Sequence, residues 1–288
     1  MGKVFYFLLL FFCGMLTLNA QEYLDCVRKV KAYLDRNYAS GWPLYATEEQ
    51  KLLDIASSDK SRKEKAAEIR KTFPKVFALS EAEKKHLASA MAGDAKAQND
   101  LGWCYLNGDG VKKDYRQAVY WYKKSAAQGN IYAQNNLGWC YENGNGVEKN
   151  LNQAFYWYSK AANQGYAVAQ NNLGWCYENG NGVEKNLNQA FYWYSKAANQ
   201  GEMYAQNNLG LCYYFGNGVE KNLNQAFYWF KKSAEQGYSV AQHNVGVCYE
   251  NGYGVYKDRY TAVSWYRKAA AQGYEDSKKV LRNMGYSY

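Results

Sequence analysis

The residues able to do chemistry are few, and their spacing decides what they can do. Seven cysteines are present. Five of them, Cys104, Cys140, Cys176, Cys212 and Cys248, recur at a constant step of 36 residues. If that step marks successive helix pairs, neighbouring cysteines stand about 9–10 Å apart. A disulfide needs Cα atoms within about 7 Å. The five are therefore expected as unpaired, buried, small apolar residues rather than as bridges or nucleophiles. Only two histidines occur, His86 and His243, too few for a histidine-rich metal site or a Ser–His–Asp triad. His243 precedes Cys248 by five positions, which is not a shared helix face, so a Cys–His dyad is not expected and His243 is assigned to a solvated or groove-lining position. His86 falls where the second helices carry an aromatic such as Tyr122, and is assigned to packing.

The Gly-x-Gly strings, such as Gly144-Asn145-Gly146, follow helical patterns rather than strands. No Gly-Lys-Ser/Thr comes after them, so they are turns and not phosphate cradles. Acidic residues beside them are too few for a calcium loop. Neither a Ser-x-x-Lys motif nor a recurring carboxylate pair is present. No catalytic residue, metal ligand or cofactor is expected.

What positions these residues is an internal repeat. Leu-Gly-x-Cys-Tyr starts at Leu101, Leu137, Leu173 and Leu209, and returns as Val245-Gly246-Val247-Cys248-Tyr249. Five units follow without insertion: 94–129, 130–165, 166–201, 202–237 and 238–273. Residues 133–165 and 169–201 are identical, a recent duplication. One unit reads as two helices. The first runs roughly from Ala133 to Asn143, with Ala133, Leu137, Gly138 and Tyr141 on one face, and ends at Asn143-Gly144. Asn150 caps the second, as Asp114, Asn186, Asn222 and Asp258 do elsewhere. Ala154, Trp157, Tyr158 and Ala161 form its apolar stripe, and the row Trp121, Trp157, Trp193, Trp229 and Trp265 is expected in the core. So short a hairpin cannot bury its own stripe, so it must stack on copies of itself.

Ala133-Gln134, Leu137-Gly138, Tyr141, Asn143-Gly144, Gly146-Val147, Ala154, Trp157-Tyr158, Lys160-Ala161-Ala162 and Gln164-Gly165 together resemble the Sel-1-like repeat family, solenoid relatives of tetratricopeptide repeats. The resemblance covers about two-thirds of the chain. It implies an all-α, right-handed superhelical α-solenoid of helix-turn-helix repeats, working as a non-enzymatic protein-interaction scaffold. A secreted, cysteine-rich Helicobacter-type branch looks similar in repeat pattern but pairs its cysteines within each unit. Some of that branch are described as penicillin-binding or β-lactam-hydrolysing. The alternative function is accordingly a β-lactam or peptidoglycan hydrolase.

The flanks complete the organisation. A basic start, an apolar run over Val4–Phe12 and Leu18-Asn19-Ala20 have the layout of a secretory signal over 1–20, cleaved after Ala20. The chain is then exported (periplasmic, cell-surface or secreted) with no integral membrane span. Residues 21–80 form a helical segment. Tyr23, Val27, Val30 and Leu34 mark one amphipathic helix, Gly41-Trp42-Pro43 a turn, and Pro74 a helix break. Thr47–Gln50 and Ser61–Glu64 read as capping boxes, as do Ser80 and Glu83 at the start of a degenerate half-repeat over 81–93. Residues 274–288 form a C-terminal capping helix, in which Ser277 and Leu281 take the places of Ala241 and Val245, and Arg282 that of Gly246.

The expected partner-binding surface is the concave face of the first helices. One row on it is Asn99, Asn135, Asn171, Asn207 and His243. The next is Trp103, Trp139 and Trp175, continued by Leu211 and Val247. A third holds Glu142, Glu178 and Tyr214, with Leu106 and Glu250 at its ends. Asparagine donates and accepts, so a ladder of it can grip an extended backbone, and Trp gives large contact area with a donor at its edge. The partner is a protein or peptide. The formal charge of +9 is spread along the chain, which signals a solvated surface, and nucleic acid is not expected as the partner of an exported chain.

Overall fold

The structure, a computed structural model, describes residues 18–37, 43–72 and 81–287. Among the described residues every regular element is an α-helix. The chain divides into two compact units, one ending at Ser125 and one starting at Ala126.

In the first unit, α1 (Leu18–Asn37), α2 (Pro43–Ser57) and α3 (Arg62–Thr72) share a small core of their own. Val30, Leu34, Leu52, Ile55, Ala66 and Ile69 fill it together with Cys26, and Tyr23 and Val27 flank it. Of these, Tyr23, Val27, Val30 and Leu34 are the residues that the amphipathic pattern of α1 singles out. The box at Ser61 forms: Glu64 accepts from the Ser61 N–H at 2.9 Å and its hydroxyl at 2.7 Å. Those hydrogen bonds hold the Glu64 carboxyl below its usual range. Thr47 falls inside α2 rather than at its start, because the helix already begins at Pro43, whose fixed φ suits a first helical position. Helix α3 stops at Thr72, two residues ahead of Pro74. Pro74 itself, Gly41-Trp42, Ser80 and the apolar run of the expected signal lie outside the described residues.

Next come α4 (Glu81–Met91), α5 (Ala95–Asn107) and α6 (Tyr115–Ala127). Gln98 on α5 donates to the Ala90 carbonyl of α4 at 2.9 Å. His86 is half-buried.

The second unit holds α7 (Ile131–Asn143), α8 (Leu151–Asn163), α9 (Ala167–Asn179), α10 (Leu187–Asn199), α11 (Met203–Phe215), α12 (Leu223–Glu235), α13 (Ser239–Asn251), α14 (Arg259–Ala271) and α15 (Glu275–Asn283). They form hairpins α7–α8, α9–α10, α11–α12 and α13–α14, each packed on the next, with α15 closing the row against α14. This is an all-α solenoid of two-helix repeats with a 36-residue period.

The first helices start two residues earlier than the apolar stripe indicates. In α7 the reason is Asn130, whose side chain accepts from the Ala133 N–H and so caps from Ile131 onward. Asn150, Asn186, Asn222 and Asp258 cap the second helices as expected. Within a hairpin, Leu137, Leu173, Leu209 and Val245 are fully buried, each contributing about 1.5–3 kcal/mol relative to exposure. A β-carbon on Gly138 would stand 2.7 Å from the Tyr158 ring, so glycine is what lets α7 and α8 approach.

Between hairpins, apolar packing such as that of Ala197 and Ala198 on Ala205 and Leu209 is joined by side-chain amides. Gln170 donates to the Ala162 carbonyl at 3.2 Å, and Gln200 donates back to Gln170 at 2.7 Å. Gln206, Gln236, Gln242 and Gln272 repeat the arrangement. Gly182, at φ +71°, lies against the Leu151 carbonyl so closely that any β-carbon would overlap it. Of the second-helix tryptophans in this unit, Trp193 is buried while Trp157, Trp229 and Trp265 are half-buried. Lysine ammonium groups cover them, Lys160 at 5.8 Å from Trp157 and Lys268 at 4.0 Å from Trp265.

Candidate partner-binding face

The three expected rows have different fates. The asparagines are engaged before any partner arrives. Asn172 donates to the Asn135 side-chain carbonyl at 3.0 Å, Asn208 to Asn171 at 3.0 Å and Asn244 to Asn207 at 2.9 Å. Asn135 and Asn207 are buried, and Asn171 is half-buried. These amides staple one hairpin to the next, a demand invisible in one repeat alone. His243 ends the row: its Nδ1 lies 2.9 Å from the Ser277 hydroxyl of α15. Its ring lies against Tyr266 and Tyr274. Burial lowers its pKa below the ordinary value of 6.5, against the opposing pull of Asp276 and Glu250. In the first unit, Asn99 is half-buried and donates to Asp100.

The tryptophans stay open. Trp139 is 37% exposed, Trp175 40% and Trp103 51%. Exposure of such large apolar area is informative in a way that a lone exposed leucine is not.

The acidic row supplies a relationship that sequence reasoning missed. Glu142 accepts the Tyr158 hydroxyl at 2.8 Å, Glu178 that of Tyr194 at 2.7 Å and Glu250 that of Tyr266 at 2.6 Å. Burial first, and the carboxylate second, drive the Tyr158 and Tyr194 phenols far above their usual pKa, so each remains a neutral donor. In the fourth repeat both partners change together. Tyr214 stands for the glutamate and Phe230 for the tyrosine, their rings 6.5 Å apart. Without a phenol the acceptor is not needed. The joint change at positions 16 residues apart was the available signal. Tyr214 also contacts Phe215 and Tyr253, and Phe215 is 63% exposed. That stretch is aromatic where the second and third repeats are polar.

A cavity of about 580 Å³ opens between the second and third repeats, lined by Trp139, Glu142, Asn143, Lys149, Leu151, Asn171, Asn172, Trp175 and Asn181. It gathers four of the expected partner residues (Trp139, Glu142, Asn171 and Trp175) in one place. Glu178, Asn207, Tyr214, His243 and Asn135 do not line it.

The cysteines lie behind this face. All six described cysteines are buried, Cys140, Cys176, Cys212 and Cys248 as free thiols, and burial pushes those four up to about 12. A thiol so far above neutral pH is not a nucleophile. Among the described residues no group of His, Cys, Asp and Glu is placed to hold a metal ion. Among them, too, no helix is long and apolar enough to cross a membrane.

With this geometry in hand, the comparisons agree with one another. The profile of the Sel1 repeat matches residues 95–130, 131–166, 167–202, 204–238 and 239–274. The crystal structure of a Sel1 repeat protein from Oxalobacter formigenes is 37% identical, over 73% of this chain and 83% of that one, with a TM-score of 0.66. That of c5321, a protective antigen present in uropathogenic Escherichia coli strains and displaying an SLR fold, is 34% identical over 83% of this chain, with a TM-score of 0.62. This chain covers 49% of c5321, about half its length. A comparison with curated proteins gave no match. Five consecutive profile matches, a 36-residue helix hairpin and two solved relatives place the chain in the Sel1 repeat family.

Proposed function

We propose that the chain is a non-enzymatic scaffold that holds a protein or peptide partner on the concave face of its first helices, outside the cytoplasm. Sel1 repeat proteins are in general protein-interaction scaffolds, and that general role is the starting point. The observation that carries the finer reading is the cavity between the second and third repeats, where Trp139 and Trp175 remain exposed beside polar groups. Large rigid aromatics around a few polar groups are what protein and peptide sites use for area and register. The asparagine staples support the reading indirectly, since they fix the spacing between the two indoles. The export assignment rests on the three-part layout of residues 1–20.

The test is crosslinking capture with the full chain and with Trp139→Ala/Trp175→Ala. A saturable partner lost in the double variant, with helical circular dichroism unchanged, supports the reading. A partner retained in full by the variant overturns it. Fractionation of the expressing cell, with N-terminal sequencing of the mature chain, checks export. A chain starting at Met1 in the cytoplasm overturns that part.

A further inference from the structure

In the second and third repeats the helical charges are sorted by helix. In α7 and α9 the only charged side chains are Glu142 and Glu178. In α8 and α10 the only ones are Lys160 and Lys196. The face that carries the exposed tryptophans is thus acidic. Glu142 is half-buried, and one of its carboxylate oxygens takes the Tyr158 hydroxyl. Among the described residues no lysine or arginine lies within ion-pair distance of it. A partly desolvated carboxylate without a cation attracts one more strongly than a surface carboxylate does. The two flanking indoles add to the attraction, because their π-faces are the best aromatic partners for cations.

The repeats differ at these positions, and the cavity between the second and third combines all three groups. The fourth repeat has Leu211 and Tyr214, the fifth Val247 and Glu250, and the first Trp103 and Leu106. The second and third alone keep Trp with Glu, and Glu142 alone has an indole from its own repeat and another from the next lining the same space. One opposing charge is present: Lys149 also lines the cavity. It is exposed, and therefore screened by water more than half-buried Glu142 is.

We propose that this cavity receives a basic side chain of the partner, arginine in preference to lysine, seated between Trp139 and Trp175 with its charge toward Glu142. Arginine fits better because its planar guanidinium both stacks on indole and bonds a carboxylate in a fork. The assignment rests on the scaffold reading above, and specifies the chemistry that the scaffold selects.

The test uses the full chain and four blocked tripeptides, Ac-Gly-X-Gly-NH₂, with X as arginine, lysine, norleucine or glutamate. Binding is read from tryptophan fluorescence and from the indole N–H resonances, with Trp139→Phe and Trp175→Phe identifying the two signals. The arginine peptide is expected to shift both resonances saturably and to bind about tenfold tighter than the norleucine peptide. Glu142→Gln keeps an acceptor for Tyr158 but removes the charge, and is expected to weaken the arginine peptide about tenfold. Lys149→Gln is expected to tighten it. Equal binding of norleucine, an unaffected Glu142→Gln, or tighter binding of the glutamate peptide overturns the assignment. A captured protein lost with Trp139→Ala/Trp175→Ala but retained with Glu142→Gln sinks the basic side chain and leaves the scaffold standing. A capture unaffected by either variant sinks the scaffold reading itself.

Discussion

Gly138 on α7 and Tyr158 on α8 meet so closely that glycine is the only residue the contact admits, and the phenol that lies against it is at the same time tied to Glu142 at 2.8 Å. One ring therefore sets the distance between two helices and the orientation of a carboxylate on the open face.

Gly138→Ala should destabilise the fold. Overpacking costs about 1–3 kcal/mol, and alanine regains about 1 kcal/mol of helix propensity. Tyr158 is fully buried and hydrogen-bonded, so its ring has no room to yield and the net loss should be about 1–2 kcal/mol. Urea denaturation measures it; an unchanged midpoint would show that the ring moves aside.

Tyr158→Phe removes the hydroxyl and leaves Glu142 without its donor. A loss of about 1 kcal/mol is expected. Glu142→Leu in the same background should then cost less than it does alone, because the acceptor no longer has a partner to lose. Tyr214 and Phe230 already embody that combination in the fourth repeat. A double-mutant cycle with no coupling would contradict the pairing.

Native Cys140, Cys176, Cys212 and Cys248 should resist alkylation in mildly alkaline buffer, and all four should react once the chain is unfolded. Their thiols are pushed up to about 12 by burial. Mass spectrometry after iodoacetamide, with and without urea, reads the outcome, and rapid labelling of the native chain would refute the buried assignment.

The C-terminal helix should loosen in acid. Burial holds the folded-state pKa of His243 below 6.5, so the unfolded chain takes up the proton first. The contribution is present above 6.5 and is lost as the pH falls through the depressed folded value. Asp276 and Glu250 face the ring and oppose the shift. Amide exchange in α15 should rise in mild acid, and His243→Asn, the residue found in the other repeats, should flatten that rise.

How much of this could be read from the residues alone follows a physical line. Features repeated within 36 residues were legible: the hairpin, the cap at Asn150, the glycine at position 138 and the buried cysteines. They depend on helical period and on neighbours close in sequence. Contacts between repeats were not legible, because the stagger of one hairpin on the next is written in no single copy. Asn135 and Asn207 look like groove ligands until Asn172 and Asn244 are seen to reach across to them. The Glu–Tyr pair was within reach, since the fourth repeat changes both members at once. The earlier start of α7 was missed because its cause, Asn130, is polar and lies off the apolar stripe.

The identical α8 and α10 have a further consequence. Each presents the same side chains to whatever hairpin comes next, so excising residues 166–201 would bring α11 onto α8 through the very surface it now finds on α10. At this one joint the array's length is decoupled from the second-helix surface it presents. Recombination between the duplicated segments would shorten or extend it by whole hairpins while keeping the second-helix surface at the joint unchanged.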